Sequence, residues 1–241
     1  MADLYGTNVW EGNGNINWTR VAASTNGDFT MIRAGYDSKV SNSGVTDAEF
    51  LNYTAGAAAA GIPFGLWWFC YARNAAMATG AANYAADLIL NNNINPTYPV
   101  YYDFEDATTI SWNNYGVTPT TALVHEVLTA WCNTIAARGL TPGIYFNWGT
   151  YSAWDFQTLF ANNPSWSHWI AQWGNRPTWE SWEVWQYMGG NYGHVRVDGI
   201  PTEVDVDIID DGYVPPTPPG PNPRPTLSSM PIWFIKPPRP I

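Results

Sequence analysis

Eight short apolar segments, separated mostly by helical or loop stretches, constrain the fold of this 241-residue chain more than any other feature. Several of them are apolar almost throughout, which is typical of strands that are covered on both faces of a sheet. The predicted strands span residues 3–9, 29–34, 63–69, 100–104, 142–146, 168–172, 183–187 and 204–209. Strands that alternate with helices indicate a parallel sheet.

Helical patterns lie between several of these strands, at residues 47–60, 77–91 and 120–138. The predicted fold class is therefore α/β, an irregular (β/α)8 TIM-like barrel. The connections after the sixth strand are short, so we expect the outer helical ring to be incomplete. A doubly wound open sheet is the alternative, but the glycine-rich phosphate loop that usually follows its first strand is missing.

A change in composition predicts two parts, a catalytic barrel at residues 1–213 and a proline-rich tail or linker at residues 214–241. Proline makes up 11 of the 28 residues in the second part, which favours an extended polyproline-like segment. The tail ends in a short apolar patch that could dock on a neighbour, or it is a linker stub. We expect it to have no catalytic function.

Charge and ligand residues exclude several classes of function. The net charge is −10, and an acidic body argues against both nucleic-acid binding and attachment to a membrane surface. The two cysteines, Cys70 and Cys132, are expected to be buried free thiols. The histidines His125, His168 and His194 show no metal-ligand spacing, so we expect neither a metal nor a cofactor.

The acidic end of the fourth strand carries the chemistry. Side chains alternate along a strand, so Asp103 and Glu105 point to one side, roughly 6–7 Å apart along it, while Tyr102 and Phe104 face the other way. Two crowded carboxylates repel each other, which raises the pKa of one and leaves the other ionised. Glycoside hydrolysis needs such a proton donor beside an anion. Acidic residues that merely solvate a strand terminus would give the same pattern.

Polar residues at other strand ends and the many aromatic residues fit a carbohydrate-cleaving site at the open end of the barrel, called the mouth below. In barrel enzymes the carboxyl ends of the strands line the active site. The last strand places Asp205 and Asp207 on one face, and the first strand ends at Asn8 and Val9. The chain has 15 Trp and 14 Tyr, more than a core needs, and apolar sugar faces stack on such rings.

With these features, the sequence resembles glycoside hydrolase family 25, the Chalaropsis-type lysozymes of bacteria, fungi and phage endolysins. The resemblance covers residues 5–209, and its markers are specific through their order and spacing rather than one by one. These markers are Gly6-Thr-Asn-Val9, Ile16-Asn-Trp18, Phe29-Thr-Met-Ile-Arg-Ala34, Gly61-Ile-Pro-Phe-Gly65, Pro99-Val-Tyr-Tyr-Asp-Phe-Glu105, Thr141-Pro-Gly-Ile-Tyr145, Trp169-Ile-Ala-Gln172, Trp185-Gln-Tyr187 and Val204-Asp205.

The resemblance implies a muramidase that cleaves the β-1,4 bond between N-acetylmuramic acid and N-acetylglucosamine in peptidoglycan. It implies that Glu105 is the general acid, that Asp103 orients or stabilises the reacting sugar, and that Asp205 completes the acidic cluster. The implied substrate-binding residues are Asn8, Tyr36, Trp68, Tyr145, Gln172 and Gln186.

Three positions depart from the family pattern. Asn8 stands where the family usually has Asp, and Asn cannot carry a negative charge. Trp68 stands where the family usually has His, and the family also has an acid near Tyr36. These differences either tune the mouth toward a modified glycan or weaken catalysis.

Two other functions stay open at this point. A non-catalytic module that binds cell-wall glycan could keep the same barrel. A chitinase-like glycosidase would need a longer run of acids, which Pro99 and Tyr101 interrupt. The expected partner is the glycan strand of bacterial peptidoglycan, bound by a monomer. Residues 1–6 lack the features of a secretory signal peptide, so we expect action on the cell wall after phage-type release or non-standard secretion.

Overall fold

The computed structural model describes residues 3–179, 181–190 and 193–210, and the proline-rich segment 214–241 lies outside these described residues. The strands are β1 (Leu4–Val9), β2 (Phe29–Asp37), β3 (Gly44–Thr46), β4 (Phe64–Phe69), β5 (Val100–Asp103), β6 (Pro142–Asn147), β7 (Ser167–Ala171), β8 (Val184–Met188), β9 (Val195–Arg196) and β10 (Glu203–Ile209). The helices are α1 (Trp18–Ala22), α2 (Phe50–Ala59), α3 (Ala75–Asn91), α4 (Asp106–Asn114), α5 (Thr121–Ala137), α6 (Trp148–Ala153) and α7 (Phe156–Asn162).

Within the described residues, the eight strands predicted from the sequence close into a barrel. Their order is β1-β10-β8-β7-β6-β5-β4-β2, and β2 pairs with β1 to complete the circle. Helices flank the sheet from β2 to β7, whereas the described residues after β7 contain no α-helix. The predicted α/β barrel with an incomplete helical ring is therefore confirmed.

One strand of the barrel runs against the others. β10 is antiparallel to both of its neighbours, β1 and β8, while the remaining barrel pairs are parallel. A parallel connection needs a crossover of about a dozen residues or more, usually helical. The described part of the connection from β8 to β10 contains only β9, which itself pairs with β10. The chain therefore enters β10 at the carboxyl end of the other strands.

Strand alternation divides the core into two layers. Tyr102 points outward and stacks on Trp131 of α5, with ring centroids 4.4 Å apart. Tyr101 points into the barrel, where Gly143 of β6 makes room for its ring, because a Cβ atom at Gly143 would lie 2.5 Å from it. The buried hydrophobic cluster inside the barrel consists of Phe29, Met31, Tyr98, Tyr101, Trp169, Val184 and Ile209.

The start of α2 shows where the local prediction was wrong. The helix was expected from residue 47 but begins at Phe50. The buried Asp47 carboxylate accepts hydrogen bonds from the Glu49 amide at 2.9 Å and from Arg33 Nε at 2.6 Å. Asp47 therefore holds β2 against the chain entering α2 and is not part of the helix.

In the described part of the chain, no helix has the length and apolar character needed to cross a membrane.

Candidate active site

A cavity of about 440 Å³ opens at the carboxyl end of the parallel strands. Its walls come from seven barrel strands, the loop after β1 and the chain leading into β10. The lining residues are Asn8, Trp10, Gly12, Asn13, Trp67, Asp103, Glu105, Tyr145, Trp169, Gln186, His194, Thr202, Glu203, Val204 and Asp205. Four carboxyl groups and four large aromatic side chains therefore share one concave surface.

Asp103 and Glu105 reach this cavity because they lie at the point where β5 passes into α4. Asp103 is the last residue of β5 and is only 5% exposed, and Glu105 is the N-cap residue of α4. Phe104, between them, is fully buried in the outer core beside Trp112. The two carboxyl groups thus face the lumen together, as the alternation predicted.

The surroundings of these carboxyl groups favour their protonated forms. Burial, followed by the nearby Glu105, raises the pKa of Asp103 well above its usual range, and Arg33 opposes this. Burial, followed by Asp106 and Asp205, also raises the pKa of Glu105. A carboxyl group that holds its proton at mildly acidic pH is suited to act as a general acid.

Asp205 enters the cavity from the opposite wall. Because β10 is reversed, its first half lies at the mouth, and Asp205 is the register partner of Asn8 at the end of β1. Burial raises the pKa of Asp205, while a hydrogen bond from His194 and the positive charge of that residue lower it. Asp207 lies deeper on the same face and is fully buried, where Trp169 Nε1 donates to it at 2.9 Å.

A chain of hydrogen bonds crosses the floor of the cavity to Asp205. The Tyr145 hydroxyl donates to Gln186 Oε1 at 2.9 Å, and Gln186 Nε2 donates to Asp205 Oδ2 at 3.3 Å. On the other side, His194 Nδ1 lies 2.7 Å from Asp205 Oδ1. Both oxygens of the Asp205 carboxylate are therefore held by the protein.

Aromatic rings form the walls above the acids. Trp10, in the loop after β1, is 44% exposed, and Arg33 stacks over its ring at 4.6 Å. The Arg33 guanidinium also lies 5.6 Å from the Trp67 ring centroid and forms an ion pair with Glu11 at 3.0 Å. Such flat surfaces suit the apolar faces of sugar rings.

Six of the nine predicted site residues line the cavity, namely Asn8, Asp103, Glu105, Tyr145, Gln186 and Asp205. Tyr36 does not line the cavity. It is the residue before the last of β2, and its ring packs edge-on against Tyr71. Gln172 also lies outside the lining, where its side chain donates to the Asn175 carbonyl at 3.0 Å.

The placement of Trp68 corrects its assignment to substrate binding. Its side chain is fully buried on the outer face of β4, and Nε1 donates to Asp37 Oδ1 at 2.7 Å. The expected lack of an acid near Tyr36 is wrong, because Asp37 follows it directly. Asp37 faces away from the cavity, however, and accepts further bonds from the Tyr71 and Ala72 amides and the Tyr102 hydroxyl. The preceding residue, Trp67, points into the lumen and takes the wall position instead.

Several lining residues had no place among the predicted site residues. Trp10 follows the predicted first strand directly, and Trp169 lies on the predicted sixth strand, so their positions carried a usable signal. His194, Thr202 and Glu203 come from the connection into β10 and reach the cavity only because that strand is reversed.

Comparisons with known proteins agree with this geometry. The model of the family described as glycosyl hydrolases family 25 matches residues 8–193, which is more than half of the chain. No curated protein sequence matches the chain.

Solved structures share the fold. The modular autolysin LytC from Streptococcus pneumoniae has a TM-score of 0.71 at 24% identity, over 86% of this chain and 46% of that one. LytC has also been solved in complex with a synthetic peptidoglycan ligand. The lysozyme from Streptomyces coelicolor has a TM-score of 0.64 at 20% identity, over 87% of this chain and 93% of that one.

A phage enzyme belongs to the same group of structures. The catalytic domain of endolysin ply40 from Listeria monocytogenes bacteriophage P40 has a TM-score of 0.63 at 15% identity, over 87% of this chain and 94% of that one. At these identities the likeness is one of fold, and the chain spans less than half the length of LytC.

Proposed function

Because the chain belongs to glycosyl hydrolases family 25, we propose that it is a peptidoglycan hydrolase. Its reaction is cleavage of the β-1,4 bond between N-acetylmuramic acid and N-acetylglucosamine. The observation that carries this proposal is the meeting of Asp103, Glu105 and Asp205 in one aromatic-walled cavity. The activity resides in residues 1–213, and residues 214–241 take no part in the chemistry.

Glu105 is the proposed general acid. Its proton passes to the bridging oxygen as the bond from that oxygen to the anomeric carbon breaks, and one water is added across the bond overall. Burial and the charges of Asp106 and Asp205 support this role, because they keep the Glu105 carboxyl group protonated above its usual range.

Asp103 and Asp205 act on the sugar that loses its leaving group. This sugar develops positive charge in the transition state, which the Asp205 carboxylate stabilises. Asp103, whose burial favours the protonated form, orients the sugar through a hydrogen bond. Asp103 approaches from the end of β5 and Asp205 from the start of β10, so the reacting sugar lies between them. Asn8 is neutral, which leaves Asp205 as the anion at the β1–β10 edge.

The substrate is the glycan strand of the bacterial cell wall. The exposed Trp10 and the neighbouring Trp67 provide stacking surfaces for sugar rings. The peptidoglycan ligand of LytC and the phage origin of ply40 support this substrate and action at the wall.

The test is the lysis of purified cell walls by the full chain and by Glu105→Gln. The unchanged protein is expected to clear a wall suspension and the variant to lose at least about a thousandfold of that rate, with an unchanged melting temperature. Lysis by the variant at the normal rate would show that Glu105 is not the acid.

A non-catalytic glycan-binding module is the second candidate, and Asn8 is the observation that favours it. An uncharged residue stands here opposite Asp205, where the family usually has Asp. This candidate predicts that the unchanged protein binds walls without creating new reducing ends.

A further inference from the structure

His194 occupies a built position beside Asp205, although it lies in an irregular segment just before β9. Its Nδ1 atom lies 2.7 Å from Asp205 Oδ1, which is the shorter of the two side-chain contacts that the carboxylate makes. Gly189 passes close by on the same wall, and a Cβ atom there would lie 2.7 Å from the same oxygen. The chain thus leaves room for the carboxylate between Gly189 and the imidazole.

The imidazole faces the cavity and is not part of the core. The His194 side chain is 45% exposed and lines the cavity, whereas His168 is buried in the outer layer between Phe160 and Trp179. A histidine with no role in packing can be replaced with little effect on folding. Its effect on Asp205 can therefore be measured separately.

His194 is the one basic side chain among the described residues that line the cavity. The other titratable groups there and beneath it are acidic or phenolic. Burial, and then nearby charges that include Asp205, raise the pKa values of Glu105 and Tyr145. Asp207 lies next to Asp205 on the same face of the strand. The titratable groups that face or flank Asp205 are Asp103, Glu105, Tyr145, Glu203 and Asp207. In such surroundings Asp205 depends on its donors to stay ionised, and these are His194, the Gln186 side chain and the Gly190 amide.

We propose that His194 is a positioning residue that fixes the Asp205 carboxylate by a hydrogen bond and keeps it ionised during turnover. The catalytic consequence rests on the proposed function, because it assumes that an anionic Asp205 stabilises the reacting sugar. The contact itself does not depend on that function. His194 touches the acid and acts on the sugar through it.

The sign of the pH effect follows from the contact. Burial raises the pKa of Asp205, and the His194 hydrogen bond and charge lower it again. Loss of the imidazole therefore leaves Asp205 protonated up to a higher pH. On the acid limb of the pH profile, kcat falls because Asp205 becomes neutral. This limb is therefore expected to move to higher pH when the imidazole is lost.

Two variants of the full chain test this. His194→Ala removes the donor, and kcat at pH 5 is expected to fall about tenfold with KM within about twofold. His194→Asn keeps a side-chain N–H at the position of Nδ1, and kcat is expected to recover to within about threefold of the original. The proposal would be overturned if the pH profile of kcat in His194→Ala equals that of the original protein. It would also be overturned if both variants lose kcat equally and the acid limb does not shift.

A second measurement keeps the contact testable without turnover. Carbon-13 NMR of the side-chain carboxyl carbons, with Asp205→Asn to assign the signal, follows protonation of Asp205 in the resting protein. The Asp205 midpoint is expected to rise in His194→Ala, and an unchanged midpoint would overturn the proposal. A raised midpoint in a protein that cleaves no glycan would leave the contact standing while the proposed function fails.

Discussion

Asn8 and Asp205 are register partners across the antiparallel pair β1–β10, at the mouth of the cavity. The first strand of the barrel ends where the last strand begins, so a residue near the start of the family match lies opposite one beyond its end. Asn8 Oδ1 is buried and has no hydrogen-bond partner among the described residues. Of these two register partners only Asp205 can be ionised, because Asn8 is a neutral amide.

Asn8→Asp is expected to shift the alkaline limb of activity. A second carboxylate opposite Asp205 adds negative charge at the cavity that Glu105 also lines, and so raises the pKa of that acid further. Glu105 then keeps its proton to higher pH, and the rate declines later as pH rises. The pH dependence of the rate, measured for both proteins, tests this. An alkaline limb at the same pH in both would contradict the placement of residue 8 close enough to Glu105 to affect its pKa.

Trp67→Phe and Trp68→Phe form a matched pair of changes on one strand. The Trp67 ring lines the cavity, so its replacement by a smaller ring is expected to raise KM about tenfold through lost stacking surface. The effect on stability is expected to be small, because Trp67 Nε1 has no hydrogen-bond partner among the described residues. Trp68→Phe leaves Asp37 Oδ1 without its donor and is expected to lower the free energy of unfolding by about 1–3 kcal/mol, with KM unchanged. The opposite pattern in kinetics and chemical denaturation would show that the two rings had been assigned to the wrong faces.

Glu183→Gln is expected to change how stability depends on pH. Burial raises the pKa of Glu183 to about 7, so the folded chain holds a proton that the unfolded chain releases above about 4.5. Its contribution to stability is complete below about pH 4.5 and is lost as pH rises toward 7. The variant should therefore match the original protein at pH 4 and melt at a higher temperature at pH 8.

A neighbouring histidine gives the opposite slope and must be held constant. Burial lowers the pKa of His168 to about 4, so its contribution is present above about 6.5 and is lost as pH falls toward 4. Both proteins contain His168, and the difference between their melting curves isolates Glu183. The exposed Glu126→Gln serves as the control, and an equal effect from it would remove the explanation by burial.

Much of the barrel and three of the four carboxyl residues that line the cavity could be predicted from the sequence. Apolar runs mark strands that are covered on both faces, and period-two alternation placed Asp103 and Glu105 on one side. The direction of β10 could not be predicted in this way, because alternation is the same for a strand read in either direction. That direction decides whether the first or the second half of β10 reaches the mouth.

The aromatic walls were harder to predict, and the reason is local. Trp67 and Trp68 are adjacent, equally apolar and on opposite faces of β4, so only the register of the barrel distinguishes them. No sequence pattern marks His194 as a site residue, because it lies in an irregular segment and its partner, Asp205, is eleven residues further on in β10.

The most direct test of the central claim is digestion of a defined peptidoglycan by the full chain, with mass analysis of the fragments, beside Glu105→Gln. The predicted result is fragments that carry N-acetylmuramic acid at the new reducing end, and none above background from the variant. Fragments that end in N-acetylglucosamine, wall binding without new reducing ends, or equal cleavage by both proteins would contradict the assignment of bond and acid.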